Sequence, residues 1–217
     1  MTTNIVHVLR HGEVHNPTGV LYGRLPDFHL SERGRDMAAR IADHLADAHL
    51  THLVTSPLER ARETIAPVAE RHPSLEVTID HRVIEAANAF QGMVFGGDNA
   101  ALKNPRNWLL LRNPLRPSWG EPYTAIAARM RAAIADAATR AGDGGEALMV
   151  SHQLPIWMAR CDAEGRRLMH DPRSRECTVA SLTSFHFRSG RVVRVSYAEP
   201  ARDLLREKAS SNFSTGV

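Results

Sequence analysis

Ile5-Val6-His7-Val8-Leu9-Arg10-His11-Gly12-Glu13 is the stretch that decides how the rest of the chain is read. Its first five residues are mostly apolar and rich in β-branched side chains, the pattern of a core strand in an α/β sheet. Such sheets bind ligands beyond the carboxyl ends of their strands. Arg10 and His11 stand there, followed by Gly12, which lets backbone approach a ligand. Arg10 brings a planar, permanently charged fork suited to phosphate oxygens. His11 brings an imidazole nitrogen able to act as a nucleophile. Taken alone, the tripeptide is as readily a chance strand end as a phosphoryl site.

Bulk properties set the class. At 217 residues the chain suits one sizeable domain, and 43% hydrophobic with 24% charged content is ordinary for a globular protein. The net charge of +3 arises from 27 basic residues spread along the chain, and aromatics make up 6%. With no nucleic-acid module either, DNA and RNA are not expected partners, while anionic small molecules are. Cys161 and Cys177 lack C-x-x-C spacing and read as buried small apolar residues in a reducing compartment. No leader pattern precedes the first strand, and no run of about 18 apolar residues occurs, so the expected location is cytoplasmic with no membrane partner.

Ser31 is placed to cap a helix whose apolar residues Met37, Ile41 and Leu45 recur every four positions. Residues 52–55 read as a second strand. Ser56-Pro57 then starts a helix, with Ser56 at the N-cap and Pro57 at the first helical position; it runs to about Arg71, with Pro67 a candidate kink. Residues 75–79 read as a third strand. Residues 86–120 break the pattern with several Gly and Pro, and read as an excursion over the sheet that selects the substrate. Phe90, Phe95, Trp108 and Trp119 offer stacking surface there, and Lys103, Arg106, Arg112 and Arg116 are candidates for holding a second anionic group. An Ala-rich helix spans about 122–140 and ends at Gly142 to Gly145. Residues 147–150 form an apolar strand ending in Ser151-His152. Residues 179–187 and 192–197 flank Ser189-Gly190 as a hairpin. Residues 1–205 therefore read as one domain and 206–217 as a flexible tail. Strands alternating with helices predict a three-layer α-β-α sandwich with a mostly parallel central sheet.

Four segments then gather at one sheet edge: Arg10-His11-Gly12-Glu13; Thr55-Ser56-Pro57-Leu58-Glu59-Arg60-Ala61; Glu85; and Ser151-His152. Arg60 falls in the first turn of its helix. In this order and spacing, with Asn16 after His11, Gly23 with Asp27, Leu30, Ser31 and Gly34, Thr64, and Gly120-Glu121 before a long helix, the chain resembles the histidine phosphatase superfamily, the phosphoglycerate-mutase-like fold, over about residues 4–198.

The resemblance implies a phosphatase acting on small-molecule phosphomonoesters. His11 would attack phosphorus, its other ring nitrogen donating to a carbonyl to set the tautomer. Arg10 and Arg60 would neutralise phosphoryl oxygens. His152 would be a second imidazole donor, and Glu85 the acid for the leaving oxygen and then the base for water, with Asp80 and Glu121 as competing carboxylates. Asn16, Gly23 and Gln153 would contact phosphate or substrate, turn chemistry being the plainer role of Asn16 and Gly23. No metal and no cofactor are called for, because two guanidiniums and two imidazoles supply the positive field. His7, His11 and His15 recur along one strand, but a metal set needs ligands from elsewhere, and His7 reads as a core residue.

The chain departs from the family pattern at Val14, where a Thr is usual, at Gln153 for a frequent Gly, and at Pro122 for Ser. The arginine-bearing insertion that holds a bisphosphoglycerate in the cofactor-dependent mutases has no clear equivalent, which favours a phosphatase. Two alternatives stay open: phosphoglycerate mutase-type phosphotransfer, and a non-catalytic phospho-ligand-binding module. A homodimer is admitted.

Overall fold

The computed structural model describes residues 3–94 and 120–205. β1 (Thr3–Arg10) leads through α1 (Glu32–His44) to β2 (Leu50–Thr55), then through α2 (Glu59–Arg71) to β3 (Val77–Ile79) and a short 3-10 turn (His81–Val83). Beyond residue 119 come α3 (Tyr123–Ala141), β4 (Glu146–Ser151), α4 (Gln153–Ala163) and the hairpin of β5 (Leu182–Arg188) and β6 (Arg191–Ala198). The strands lie in the order β3-β2-β4-β1-β5-β6, the first four parallel, β5 antiparallel to β1 and β6 antiparallel to β5.

Alternation along the central strands builds two cores. Val6 and Val8 of β1, Val54 of β2, and Ala147 and Met149 of β4 face α3 and α4. Leu9, Leu53, Leu148 and Val150 point the other way, onto Met37 and Ile41 of α1 and Ile65 and Val68 of α2. Helices thus cover both faces of a mostly parallel sheet, and the predicted α-β-α sandwich is what forms. Strands buried on both sides read as continuous apolar runs.

Ser31 caps α1 as expected, its Oγ accepting from Gly34 N at 3.0 Å. The start of α2 differs from expectation. Its N-cap is Leu58, with no side-chain cap, so the helix begins two residues beyond Pro57. The reason is that the Ser56 hydroxyl lies 2.7 Å from His152 Nε2 and only 3.5 Å from Leu58 N. α2 continues through Pro67, and β3 is shorter than the five residues expected. Helix α4 has no sequence periodicity to announce it. It opens with Pro155 in its first turn, where the missing N–H is tolerated, and Ile156, Trp157, Met158, Ala159 and Cys161 bury most of its circumference. Ser189 and Gly190 turn the terminal hairpin with φ of 50° and 72°, a left-handed pair matched to strand twist. The predicted tail, 206–217, lies outside the described residues.

Register decides where function sits. Arg10 of β1 is level with Ser151 of β4, and Thr55 of β2 with Val150. The residues that follow, His11, His152 and Ser56, therefore leave the sheet at one edge. From the adjacent strands β1 and β4 the chain departs to opposite faces, into α1 and α4 respectively. That divergence opens a crevice between the two strand ends, the place where α/β sheets bind ligands.

Candidate active site

His11 is 1% exposed and its backbone is pinned on both sides: its N–H donates to Ser151 O (3.1 Å) and its carbonyl accepts from Ala180 N (3.2 Å). Its Nδ1 lies 2.8 Å from Gly12 O. A carbonyl only accepts, so Nδ1 carries the proton and Nε2 keeps its lone pair. Burial, then the Arg60 and Arg10 charges, hold the imidazole well below its ordinary pKa, so it stays neutral. Gly12 supports this placement. Its N–H donates to Thr64 Oγ1 (3.0 Å), and a Cβ there would meet Gly34 O at 2.6 Å.

Two guanidiniums frame the ring. Arg10 (3% exposed) donates through Nη1 to Cys177 O at 2.6 Å. Arg60, fully buried, reaches inward from the first turn of α2; its Nη2 donates to Gly23 O at 2.6 Å and to His152 Nδ1 at 3.3 Å. Arg60 Nε and Nη1 are buried with no partner among the described residues. The Tyr22 ring lies under the Arg60 guanidinium, 4.7 Å from centroid to carbon, and meets the His11 ring edge-on at 6.4 Å. Such a face adds cation–π attraction and walls the guanidinium from water.

His152 is fully buried, its ring 5.1 Å from that of His11. With Arg60 donating to Nδ1, the proton sits on Nε2 and donates to Ser56 Oγ. Burial and the Arg60 charge keep it neutral as well. Both ring nitrogens thus face protein partners, where the sequence reading had one free to donate.

Glu85 is 2% exposed. Its Oε1 accepts from Ala86 N at 2.8 Å, while Oε2 is buried with no partner among the described residues. Burial raises its pKa from the usual 4.5, outweighing the Ala86 N–H and the charges of Arg60, Arg10 and Arg175. The competing carboxylates are engaged elsewhere. Asp80 caps the 3-10 turn and pairs with Arg82 at 2.7 Å, which holds its carboxyl low despite partial burial. Glu121 grips Arg129 and Arg24, which donate to the carbonyls of Ile84 and Glu85 respectively. Glu121 is therefore a clamp behind Glu85. Ser151 Oγ, donating to Val83 O at 2.7 Å, ties the same turn to the sheet.

The remaining predicted contacts are placed as follows. Asn16 folds its own loop, donating to Val20 O and accepting from Val20 N. Gly23 sits at φ 45° with its carbonyl on Arg60. Gln153 opens α4 and accepts from Arg175 Nη1 at 3.2 Å. Phe90 is buried, whereas Phe95, Trp108, Trp119, Lys103, Arg106, Arg112 and Arg116 lie outside the described residues. His7 is bound by Ser184 and Glu146 in the sheet. Cys161 and Cys177 are buried free thiols, as expected. Among the described residues no group of three His, Cys, Asp or Glu comes together to hold a metal ion, and no helix is long and apolar enough to cross a membrane. The sequence reading missed Tyr22, Arg24 and Arg175, and took Ser56 for a cap alone. Tyr22, Arg24 and Arg175 stand at no strand end and in no periodic pattern, and the strand-end Ser56 finds its partner on a distant strand, so only the three-dimensional contacts reveal these roles.

Comparison with known proteins agrees with this geometry. The chain is 54% identical over 196 residues, 90% of its length and 96% of the relative's, to the uncharacterized protein Rv0525 of Mycobacterium tuberculosis. It is 30% identical over 160 residues, 71% of its length and 73% of the relative's, to phosphoserine phosphatase 1 of Hydrogenobacter thermophilus. Its fold superposes on the native structure of the mycobacterial glucosyl-3-phosphoglycerate phosphatase Rv2419c with a TM-score of 0.71 at 25% identity, covering 90% of this chain and 97% of that one. The model of the histidine phosphatase superfamily (branch 1) matches residues 6–200, and with Arg10, His11, Arg60, Glu85 and His152 gathered at one strand edge the chain belongs to that superfamily.

Proposed function

We propose that the protein is a phosphatase that hydrolyses small-molecule phosphomonoesters through a phosphohistidine on His11. The observation that carries the reading is the state of His11: buried, neutral, with Nδ1–H on Gly12 O and Nε2 left as an unprotonated nucleophile between Arg10 and Arg60. A ring nitrogen whose lone pair is free and kept from protonation suits attack on phosphorus better than it suits packing.

The incoming phosphoryl dianion is met by Arg10 and by Arg60, whose Nε and Nη1 have no other partner among the described residues. A proton taken up from solvent together with the dianion settles on His152 Nδ1, making an imidazolium that donates to a phosphoryl oxygen in place of the Arg60 contact. His11 Nε2 forms a bond to phosphorus as the P–O ester bond breaks, and the leaving oxygen takes the bonding pair and the Glu85 proton. Water follows. The Glu85 carboxylate accepts one of its protons as the water oxygen bonds to phosphorus, and the P–N bond breaks with its pair returning to Nε2. Glu85 is suited to both halves because burial keeps its proton to higher pH than an ordinary carboxyl.

Release of free phosphate across a panel of phosphomonoesters tests the reading, together with trapping of an acid-labile, base-stable phosphoenzyme. His11→Ala is expected to lose turnover and the trapped species while keeping its fold. Phosphoglycerate interconversion without phosphate release, or substantial residual activity in His11→Ala, overturns it.

A further inference from the structure

Arg175 is partly buried, yet no carboxylate pairs with it among the described residues. Away from the catalytic pair Arg10 and Arg60, the other described arginines that are not exposed are neutralised: Arg24 and Arg129 by Glu121, Arg33 by Glu13, Arg82 by Asp80, and Arg160 by Glu164. Arg175 instead donates from Nε to His170 Nε2 (2.8 Å) and from Nη1 to Gln153 Oε1 (3.2 Å), and its Nη2 makes no hydrogen bond among the described residues. His170 Nδ1 donates to Leu168 O, so its Nε2 is an uncharged acceptor. A shielded guanidinium held only by neutral groups keeps its full charge for an anion. Arg60, beside the nucleophile, shares that condition.

Arg175 also adjoins the catalytic cluster. Cys177 O accepts from Arg10 Nη1 at 2.6 Å and from Gln153 Nε2 at 3.5 Å, and Gln153 in turn holds Arg175. The chain Arg10, Cys177, Gln153, Arg175 links a guanidinium at the phosphoryl site to a second one, and the charges of both act on the Glu85 carboxyl. Burial lowers the Arg175 pKa while the nearby Tyr123 and Glu85 raise it, in keeping with that placement. Tyr123 and Trp157 back His170, with ring centroids 5.6 and 5.8 Å away, so the fork is fixed before any ligand arrives. A planar fork of single charge matches one carboxylate.

We propose that Arg175 is a specificity residue that receives a carboxylate carried by the phosphomonoester, a few bonds from its esterified oxygen. The inference rests on the phosphatase reading for the position of the phosphoryl group. It is tested by binding, so that the two can fail separately. The probes are 3-phosphoglycerate and glycerol 3-phosphate, which differ in a carboxylate against a hydroxymethyl group. Each is titrated calorimetrically into His11→Ala, which cannot turn over, and into the same protein carrying Arg175→Met or Arg175→Lys. The His11→Ala protein is expected to bind 3-phosphoglycerate roughly ten- to a hundredfold more tightly, as a charge-assisted fork would give. Arg175→Met should bring the two affinities within about threefold, and Arg175→Lys, which keeps the charge and loses the fork, should fall between. If Arg175→Met does not fold, the Arg175→Lys ratio decides. Equal affinities in His11→Ala, or a ratio that neither substitution moves, overturns the proposal. A wild type that releases phosphate from no ester defeats the phosphatase reading instead, whatever the ratio shows.

Discussion

Glu85→Gln separates proton donation from positioning, because the amide keeps the shape of the carboxyl and cannot supply the proton. The side chain is 2% exposed, with Oε1 on Ala86 N and Oε2 without a partner among the described residues, so the substitution meets little steric resistance. An alkoxide leaving group needs the proton; p-nitrophenolate, stable near neutral pH, needs it far less. Turnover of alkyl phosphomonoesters should fall about a hundred- to ten-thousandfold, or roughly 3–5 kcal/mol of barrier, and that of p-nitrophenyl phosphate much less. Stability supplies an independent reading. The folded pKa of Glu85 lies above 4.5, so between those two values the native state holds a proton that the unfolded chain has released. Wild-type stability from this group is present below the unfolded pKa and is lost as pH rises through the folded one, by about 1.4 kcal/mol per pH unit across the window. The substituted amide does not titrate, and the contributions of His11 and His152 are common to both proteins. Relative to wild type, the variant should therefore gain stability as pH rises through the window and show a constant difference on either side. Steady-state kinetics on both substrate classes and urea unfolding at a series of pH values measure this. An equal fall for both classes with a pH-independent stability difference would refute the assignment of Glu85 as proton donor.

Gly34→Ala would place a Cβ 2.0 Å from Glu13 O, a backbone atom that cannot swing aside; a loss of roughly 1–3 kcal/mol in chemical denaturation is expected, with slower turnover as the Gly12–Glu13 loop shifts. Tyr22→Leu removes the ring under Arg60, and should raise KM for phosphomonoesters by roughly threefold to thirtyfold, matching a partly desolvated cation–π contact. Activity should survive EDTA, since Arg10, Arg60 and the imidazoles provide the positive field; loss on chelation with rescue by zinc or magnesium would count against that.

The strand-end motifs were legible because their information is local. A β-branched run ending in Arg10-His11-Gly12, and an apolar run ending in Ser151-His152, each state both an element and its exit point. In a parallel sheet all such exits lie on one edge, so the chemistry of the site could be read before its geometry. Glu85 was harder, since two other acids, Asp80 and Glu121, offered competing placements. Burial of Glu85, against the ion pairs of Asp80 and Glu121, separates them.

What the chain by itself determined is the class of fold and the identity of the reactive groups, because periodicity, caps and strand ends are properties of neighbouring residues. Tertiary structure alone decided the protonation pattern, the roles of the supporting residues and the limits of α2. Ser56 reads as a helix cap until His152, from a distant strand, claims its hydroxyl. Tyr22 and Arg175 carry no local signal, since their partners lie on segments remote in sequence. The His11 tautomer follows from one carbonyl, and its neutrality from burial between two guanidiniums. Desolvation and charge act through space, and only the folded chain sets those distances.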